Sequence, residues 1–397
     1  MTLLSERILN MSESETIAMS RRSRELKAQG IDVVNLSLGE PDFPTPDFIK
    51  DAAKAAIDNN FSYYPPVAGY MDLREAVAKK FERDNGLFYK PEQIIISTGA
   101  KQCIANVILS LINPGDEVIV PAPFWVTYIE IIKLAGGVPV VVQTGVDTNF
   151  KFTPEQIEAA ITPRTKMLMF SSPCNPTGAV FGREDLQALA AMLGKHPDVY
   201  ILSDEIYEHI NFVGRHESIA QFSEVHDRTI VINGVSKGFA MTGWRIGFMA
   251  APLEIAKACD KMQGQFTSAA SSIAERAALA AVLADPAVTI PMRESFEKRK
   301  NLVMEKLSAI PGFHCNQPEG AFYVFPDISF YFGKQFNGKV LHTSADFTDF
   351  LIENAHVSLV PGSAFGSPNC LRFSYATSEE NLLEAISRIE NAVKLLN

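Results

Sequence analysis

Short apolar runs punctuate the middle of the chain. They are "QIIIS" (93–97), "EVIVP" (117–121), "VPVVV" (138–142), "KMLMFSS" (166–172), "VYILS" (199–203), "TIVING" (229–234) and "RIGFMAA" (245–251). Most are rich in Val and Ile and do not alternate apolar with polar positions. A strand covered on both faces reads this way, whereas a half-solvated strand alternates. Stretches with helical spacing, such as "EDLQALAAMLGKH" (184–196), separate several of them. Strands alternating with helices predict an α/β fold with a mostly parallel sheet sandwiched by helices.

The pattern changes near residue 285, where "ADPAVTIP" precedes a long charged helix expected over 293–310. Short strands at 320–327 and 370–376 and a final helix over 378–396 follow. That style predicts a smaller α+β domain. The expected division is an N-terminal arm with part of the small domain (1–45), a large domain (46–285) and a small C-terminal domain (286–397).

Charge narrows the range of partners. The chain has 36 basic and 46 acidic residues, a net charge of −10, and no basic cluster. Nucleic acid and anionic membranes are thereby excluded as general partners, and any anionic ligand needs a local site. No uninterrupted apolar stretch of about 18 residues suggests a membrane span. The N-terminus lacks a basic region followed by an apolar one, so no secretory signal is expected. The five cysteines are widely spaced without a Cys-x-x-Cys pair. They fit reduced thiols in a cytoplasmic protein, and no metal site is expected.

Ligands of open parallel sheets bind outside the carboxyl ends of the strands. At those ends stand Gly99, Ala100 and Lys101 in "STGAKQ", Trp125 in "PFWVTY", Asn175 in "PCNPTG", Asp204 and Tyr207 in "SDEIYE", and Lys237 in "NGVSKGF". Small residues opening a helix let the backbone approach an anion. A carboxylate at the end of an apolar run requires a cationic or strongly donating partner. Lys237 among small residues can be approached closely, and its amine becomes a nucleophile if desolvation keeps it neutral. Arg245, eight residues on, can return to the same sheet end and grip a phosphate with two parallel hydrogen bonds. Taken singly, each has an ordinary explanation: a βα turn, a helix cap, a core aromatic, a surface lysine, a salt bridge. No Gly-x-Gly-x-x-Gly or Walker loop is present, which argues against a nicotinamide oxidoreductase and a nucleotide phosphate loop.

Together the motifs "SLGEPDFPTP", "SYYPPVAGYMDLREAV", "STGAKQ", "PFWVTY", "SSPCNPTG", "SDEIYE", "NGVSKGFAMTGWRIG" and "LRFSYATSEENL" occur in order from near residue 5 to the C-terminus. This series closely resembles class I (fold type I) pyridoxal-phosphate aminotransferases, in particular the bacterial aspartate aminotransferase branch. The resemblance implies a homodimer that binds pyridoxal 5′-phosphate and passes an amino group from L-aspartate to 2-oxoglutarate by a ping-pong route. Aromatic or broad-specificity transamination is the alternative.

The resemblance also implies roles for individual residues. Lys237 forms the imine link to the cofactor and then moves the proton at the substrate Cα. Asp204 pairs with the pyridine nitrogen, Asn175 and Tyr207 bond the ring oxygen, and Trp125 stacks on the ring. Arg245 with the Gly99, Ala100 and Lys101 backbone, and Ser236, cradle the phosphate, with Tyr64 supplied by the other subunit. Arg372 and Asn175 clamp the substrate α-carboxylate, and Gly39 closes over it. Lys101 and Ser14 hold the distal carboxylate. Gly234 replaces a phosphate-binding serine of many relatives. Ser12 and Glu13 replace a basic residue and a proline found in relatives that accept prephenate, so that activity is not expected.

Overall fold

The computed structural model describes residues 3–397. Its centre is a seven-stranded sheet of β1 (Ile94–Ser97), β2 (Glu117–Ala122), β3 (Val138–Gln143), β4 (Thr165–Ser171), β5 (Tyr200–Asp204), β6 (Thr229–Gly234) and β7 (Gly247–Ala250). Across the sheet the order is β1-β7-β6-β5-β4-β2-β3. Neighbours pair in parallel except at β7, which runs antiparallel to both β1 and β6.

The non-alternating sequence pattern follows from burial on both faces. Val118, Val120, Met167, Met169 and Leu202 pack into one core with the helices Ala100–Leu111 and Leu253–Phe266. Their strand neighbours Ile119, Leu168, Phe170 and Ile201 point the other way, into a core with the helix Arg183–Leu193. Each such apolar side chain contributes about 1.5–3 kcal/mol when removed from water. The strand at 138–142 behaves differently from its pattern: β3 is an edge strand, and Val138 and Val141 remain exposed. Val140 and Val142 supply its packed face.

The C-terminal part is built on a three-stranded antiparallel sheet ordered Val360–Pro361, Leu371–Ser374, Tyr323–Val324. The helices Ile290–Leu307, Ser344–Asn354 and Glu379–Val393 share its core. The N-terminal segment joins it: Val34–Asn35 pairs in parallel with Val357–Ser358, and Val34 and Leu36 enter the same core. On this packing we propose that residues 286–397 and the segment before residue 46 act as one unit against residues 46–285.

Two expected strands are markedly shorter than their apolar runs. Only Tyr323–Val324 of the strand at 320–327 forms, because Ala321 turns to φ +57°. The strand at 245–251 begins at Gly247, because a 3₁₀ turn at Thr242–Trp244 leaves Arg245 left-handed at φ +58°. No helix follows Asp204; the chain turns sharply through Glu205–Ile210 instead.

Candidate active site

The carboxyl ends of the parallel strands open onto a cavity of about 270 Å³ lined by Gly39, Ala100, Lys101, Trp125, Asn175, Asp204, Tyr207, Ser236, Lys237 and Arg245. Tyr128, Ser171 and Ile206 complete its lining. β5 delivers Asp204, whose buried carboxylate accepts from the Tyr128 hydroxyl at 2.7 Å and from the Ile206 N–H at 3.3 Å. Burial pushes its carboxyl up to about 6, opposed by those two bonds. The group is thus poised to pair with a proton-bearing partner.

Lys237 follows the end of β6. Burial brings its amine down to about 8; Arg372 and Arg245 push the same way, while Glu40 and Asp204 oppose them. The amine donates to the Gly39 carbonyl and lies 5.8 Å from the centre of the Tyr207 ring.

Opposite stands an anion cradle. The helix Ala100–Leu111 starts at the cavity, capped by Gly99 at φ +82°. A Cβ on Gly99 would lie 2.5 Å from an Arg245 guanidinium nitrogen, so the arginine rests directly on that backbone. Arg245 donates to the Thr242 carbonyl at 2.9 Å. The Lys101 amine sits 4.9 Å over the Trp125 ring, and burial lowers its pKa, with Arg245 adding to the effect. Among the described residues no carboxylate lies within ion-pair distance of Arg245 or Lys101. Two unpaired cations at a helix N-terminus suit a multiply charged anion.

Glycine pairing shapes this wall. Gly234 of β6 faces Gly247 of β7 in register, and a Cβ on Gly234 would stand 2.9 Å from the Gly247 Cα. A serine does not fit at 234 without displacing backbone. Ser236, two residues on, lines the cavity.

Arg372 is only 1% exposed and donates to Asn175 Oδ1 at 3.0 Å and to the Ser37 carbonyl at 2.6 Å. Its Nε has no partner, and no carboxylate within ion-pair distance balances it among the described residues. A buried guanidinium stays charged and requires an anion. Tyr207 and Tyr323 share a hydrogen bond between their hydroxyls at 2.8 Å.

Four predicted residues do not line this cavity: Gly99, which lies against Arg245, Arg372, which reaches it only through Asn175, and Ser14 and Tyr64. Ser14 lines a neighbouring one of about 690 Å³, which Lys101 also borders. The flanking Glu13 is tied to Arg21 at 2.7 Å and so does not present a free charge. Tyr64 is 93% exposed, away from the cavity of its own chain. Tyr128 and Tyr323 were missed by sequence reasoning. For Tyr128 the signal was present, since it stands three residues after Trp125, one helical turn along "PFWVTY".

The sequence profile of the family described as "Aminotransferase class I and II" matches residues 31–389. The chain belongs to this family. The aminotransferase is 48% identical to an aspartate/prephenate aminotransferase of Cereibacter sphaeroides, with 98% of each chain covered. It is 45% identical to an aspartate aminotransferase of Geobacillus stearothermophilus, covering 97% of this chain and 98% of the other. The aspartate aminotransferase structure from Rhizobium meliloti superposes with a TM-score of 0.96 at 41% identity, with all of both chains covered. That from Thermus thermophilus, solved with maleate, gives 0.93 at 42%, covering 99% of this chain and all of the other.

Replacing Tyr128 by Phe in the aminotransferase removes the hydroxyl that holds Asp204 ionised. The Asp204 carboxyl is expected to rise further and turnover to fall about tenfold, the scale of one hydrogen bond to a charged group. An unchanged protonated-carboxyl band in infrared difference spectra would contradict this.

Proposed function

We propose that the chain is a pyridoxal 5′-phosphate-dependent aspartate aminotransferase that uses 2-oxoglutarate as acceptor and works as a cytoplasmic homodimer. The observation that carries the reading is the convergence of a buried amine, a buried carboxylate and unpaired guanidinium groups on one cavity and its wall. The residues fit the cofactor. Lys101, Arg245 and the Ala100 helix start suit its phosphate, and the raised Asp204 carboxyl suits a protonated ring nitrogen. When bound, pyridoxal 5′-phosphate supplies an aldehyde for a lysine amine and a ring that accepts electrons released at the substrate Cα.

The chain's own groups do the rest. Lys237 would take and return the proton at the substrate Cα. Asp204 would hold the ring nitrogen protonated, Tyr207 and Asn175 would donate to the ring oxygen, and Trp125 would cover one ring face. Arg372 and Asn175 orient the α-carboxylate so that the correct Cα bond faces Lys237. Gly39 and its neighbours exclude water.

Lys101 and Ser14, bordering the second cavity, suit a distal carboxylate, and the maleate in the Thermus relative is likewise a dicarboxylate. The exposed Tyr63 and Tyr64 and an open groove beside Arg245, lined by Thr45, Trp244 and Ser271, support a dimer in which Tyr64 of a second copy reaches the phosphate cradle. No helix among the described residues is long and apolar enough to cross a membrane.

Rapid-mixing spectra of the amino-donor half-reaction test the reading. Aspartate and glutamate are expected to exceed phenylalanine by about tenfold or more in rate over affinity, the worth of one extra charged contact. Phenylalanine ahead of aspartate would shift the assignment to an aromatic or broad-specificity enzyme. Prephenate as acceptor is a second reading, favoured by the name of the Cereibacter relative. Ser12 and Glu13 argue for a slower reaction with it than with 2-oxoglutarate.

A further inference from the structure

Tyr323 has no role in the reading above, yet it touches three of that reading's parts. Its side chain is fully buried, and its hydroxyl lies 2.8 Å from that of Tyr207. Its ring carries the Arg372 guanidinium 4.6 Å from its centre. A Cβ placed on Gly39 would lie 2.7 Å from its hydroxyl oxygen, so that hydroxyl occupies the space a side chain at 39 would need. We propose that Tyr323 is a positioning residue that joins the carboxylate clamp, the ring-oxygen donor Tyr207 and the closing segment at Gly39 into one mechanical and electrostatic unit. The proposal rests on the roles assigned above to Tyr207 and Arg372.

The physics runs through the phenol pair. Tyr207 has one proton, which the proposed function directs to the cofactor's ring oxygen. Its oxygen is then free to accept from Tyr323. A phenol that accepts a hydrogen bond becomes a stronger donor, because the two bonds polarise each other. Tyr323 therefore strengthens the hold of Tyr207 on the ring oxygen and lowers the proton affinity of the cofactor-linked Lys237 nitrogen. The titratable and charged groups around this pair are Arg372, Lys237, Asp204, Glu40 and Tyr375, and none of them replaces the Tyr323 hydroxyl as a donor to Tyr207. The same hydroxyl fixes how closely the backbone at Gly39 can approach. Arg372, stacked on the ring, donates to the carbonyl of Ser37 two residues earlier. Carboxylate binding at Arg372 and closure of the segment are thus read by one side chain.

The test uses holoenzyme reconstituted with pyridoxal 5′-phosphate, and follows the pH titration of its visible band and the affinity of maleate, a non-reacting dicarboxylate. Tyr323→Phe keeps the ring under Arg372 and removes only the hydroxyl. Its band is expected to titrate at a pH higher by roughly half a unit, in proportion to one lost cooperative bond. Gly39→Ala is expected to weaken maleate binding about tenfold in the unsubstituted background and only about twofold beside Tyr323→Phe, where space has opened. A role in packing alone would leave the titration where it was. An unmoved titration, or additive effects of the two substitutions, overturns the proposal. If the unsubstituted enzyme forms no lysine-linked visible band at all, the functional reading fails, and this proposal with it.

Discussion

Lys237→Ala is expected to lower transamination by at least about 10⁴-fold and to abolish the lysine-linked visible band, while cofactor still binds noncovalently. The noncovalent part survives because the proposed phosphate cradle of Arg245, Lys101 and the Ala100 helix start does not involve the lysine side chain. The unsubstituted protein makes a second, graded expectation. With its amine brought down to about 8, Lys237 is neutral in about a tenth of molecules at pH 7, against fewer than about one in a thousand for an ordinary lysine. Only the neutral amine attacks an aldehyde. The rate of covalent capture by the cofactor-free enzyme should therefore rise about tenfold per pH unit below 8 and level off above it. Stopped-flow mixing with pyridoxal 5′-phosphate measures this. A rate still climbing steeply at pH 9.5 would mean that the amine is not depressed.

Arg372→Leu carries the second large effect. The guanidinium is buried, balanced by no carboxylate within ion-pair distance among the described residues, and held in place by Asn175 and the Ser37 carbonyl. Removing one side of a buried, hydrogen-bonded charge pair costs about 2–5 kcal/mol, so kcat/KM for aspartate should fall by about 30- to 5,000-fold. Arg372→Lys keeps a charge but not the fork, and should recover only part of the loss. Simple alkylamines, which have no carboxylate to present, supply the control. Their half-reaction rates should change by less than about threefold, and an equal loss for amines and amino acids would show that the substitution had damaged the site generally.

Periodicity and turn residues made the large sheet legible. Its seven strands fall within a residue or two of the apolar runs, because central strands buried on both faces leave an unbroken hydrophobic signature. The smaller sheet was harder. "GAFYVFPD" reads as one strand, but left-handed Ala321 bends it, so that only Tyr323–Val324 forms a continuous strand while Gly320 and Asp327 make isolated bridges. Alanine carries no signal for that conformation as glycine would. The same bend puts Tyr323 beside Tyr207, a juxtaposition that no spacing along the chain encodes. Arg245 shows a different limit. Its arrival at the cavity depends on a left-handed residue after a 3₁₀ turn, and sequence pattern placed it inside a strand. The residues of the candidate site were legible chiefly as ordered motifs at strand ends; their protonation and mutual contacts required three dimensions.

The short ladder between Val34–Asn35 and Val357–Ser358 has a consequence for timing. It anchors the stretch that carries the Ser37 and Gly39 carbonyls to the C-terminal unit rather than to the central sheet. On the proposed division, a swing of that unit would carry both carbonyls along, one bonded to Arg372 and the other to Lys237, and would gear admission of substrate and release of the amine to a single displacement, like two latches on one door.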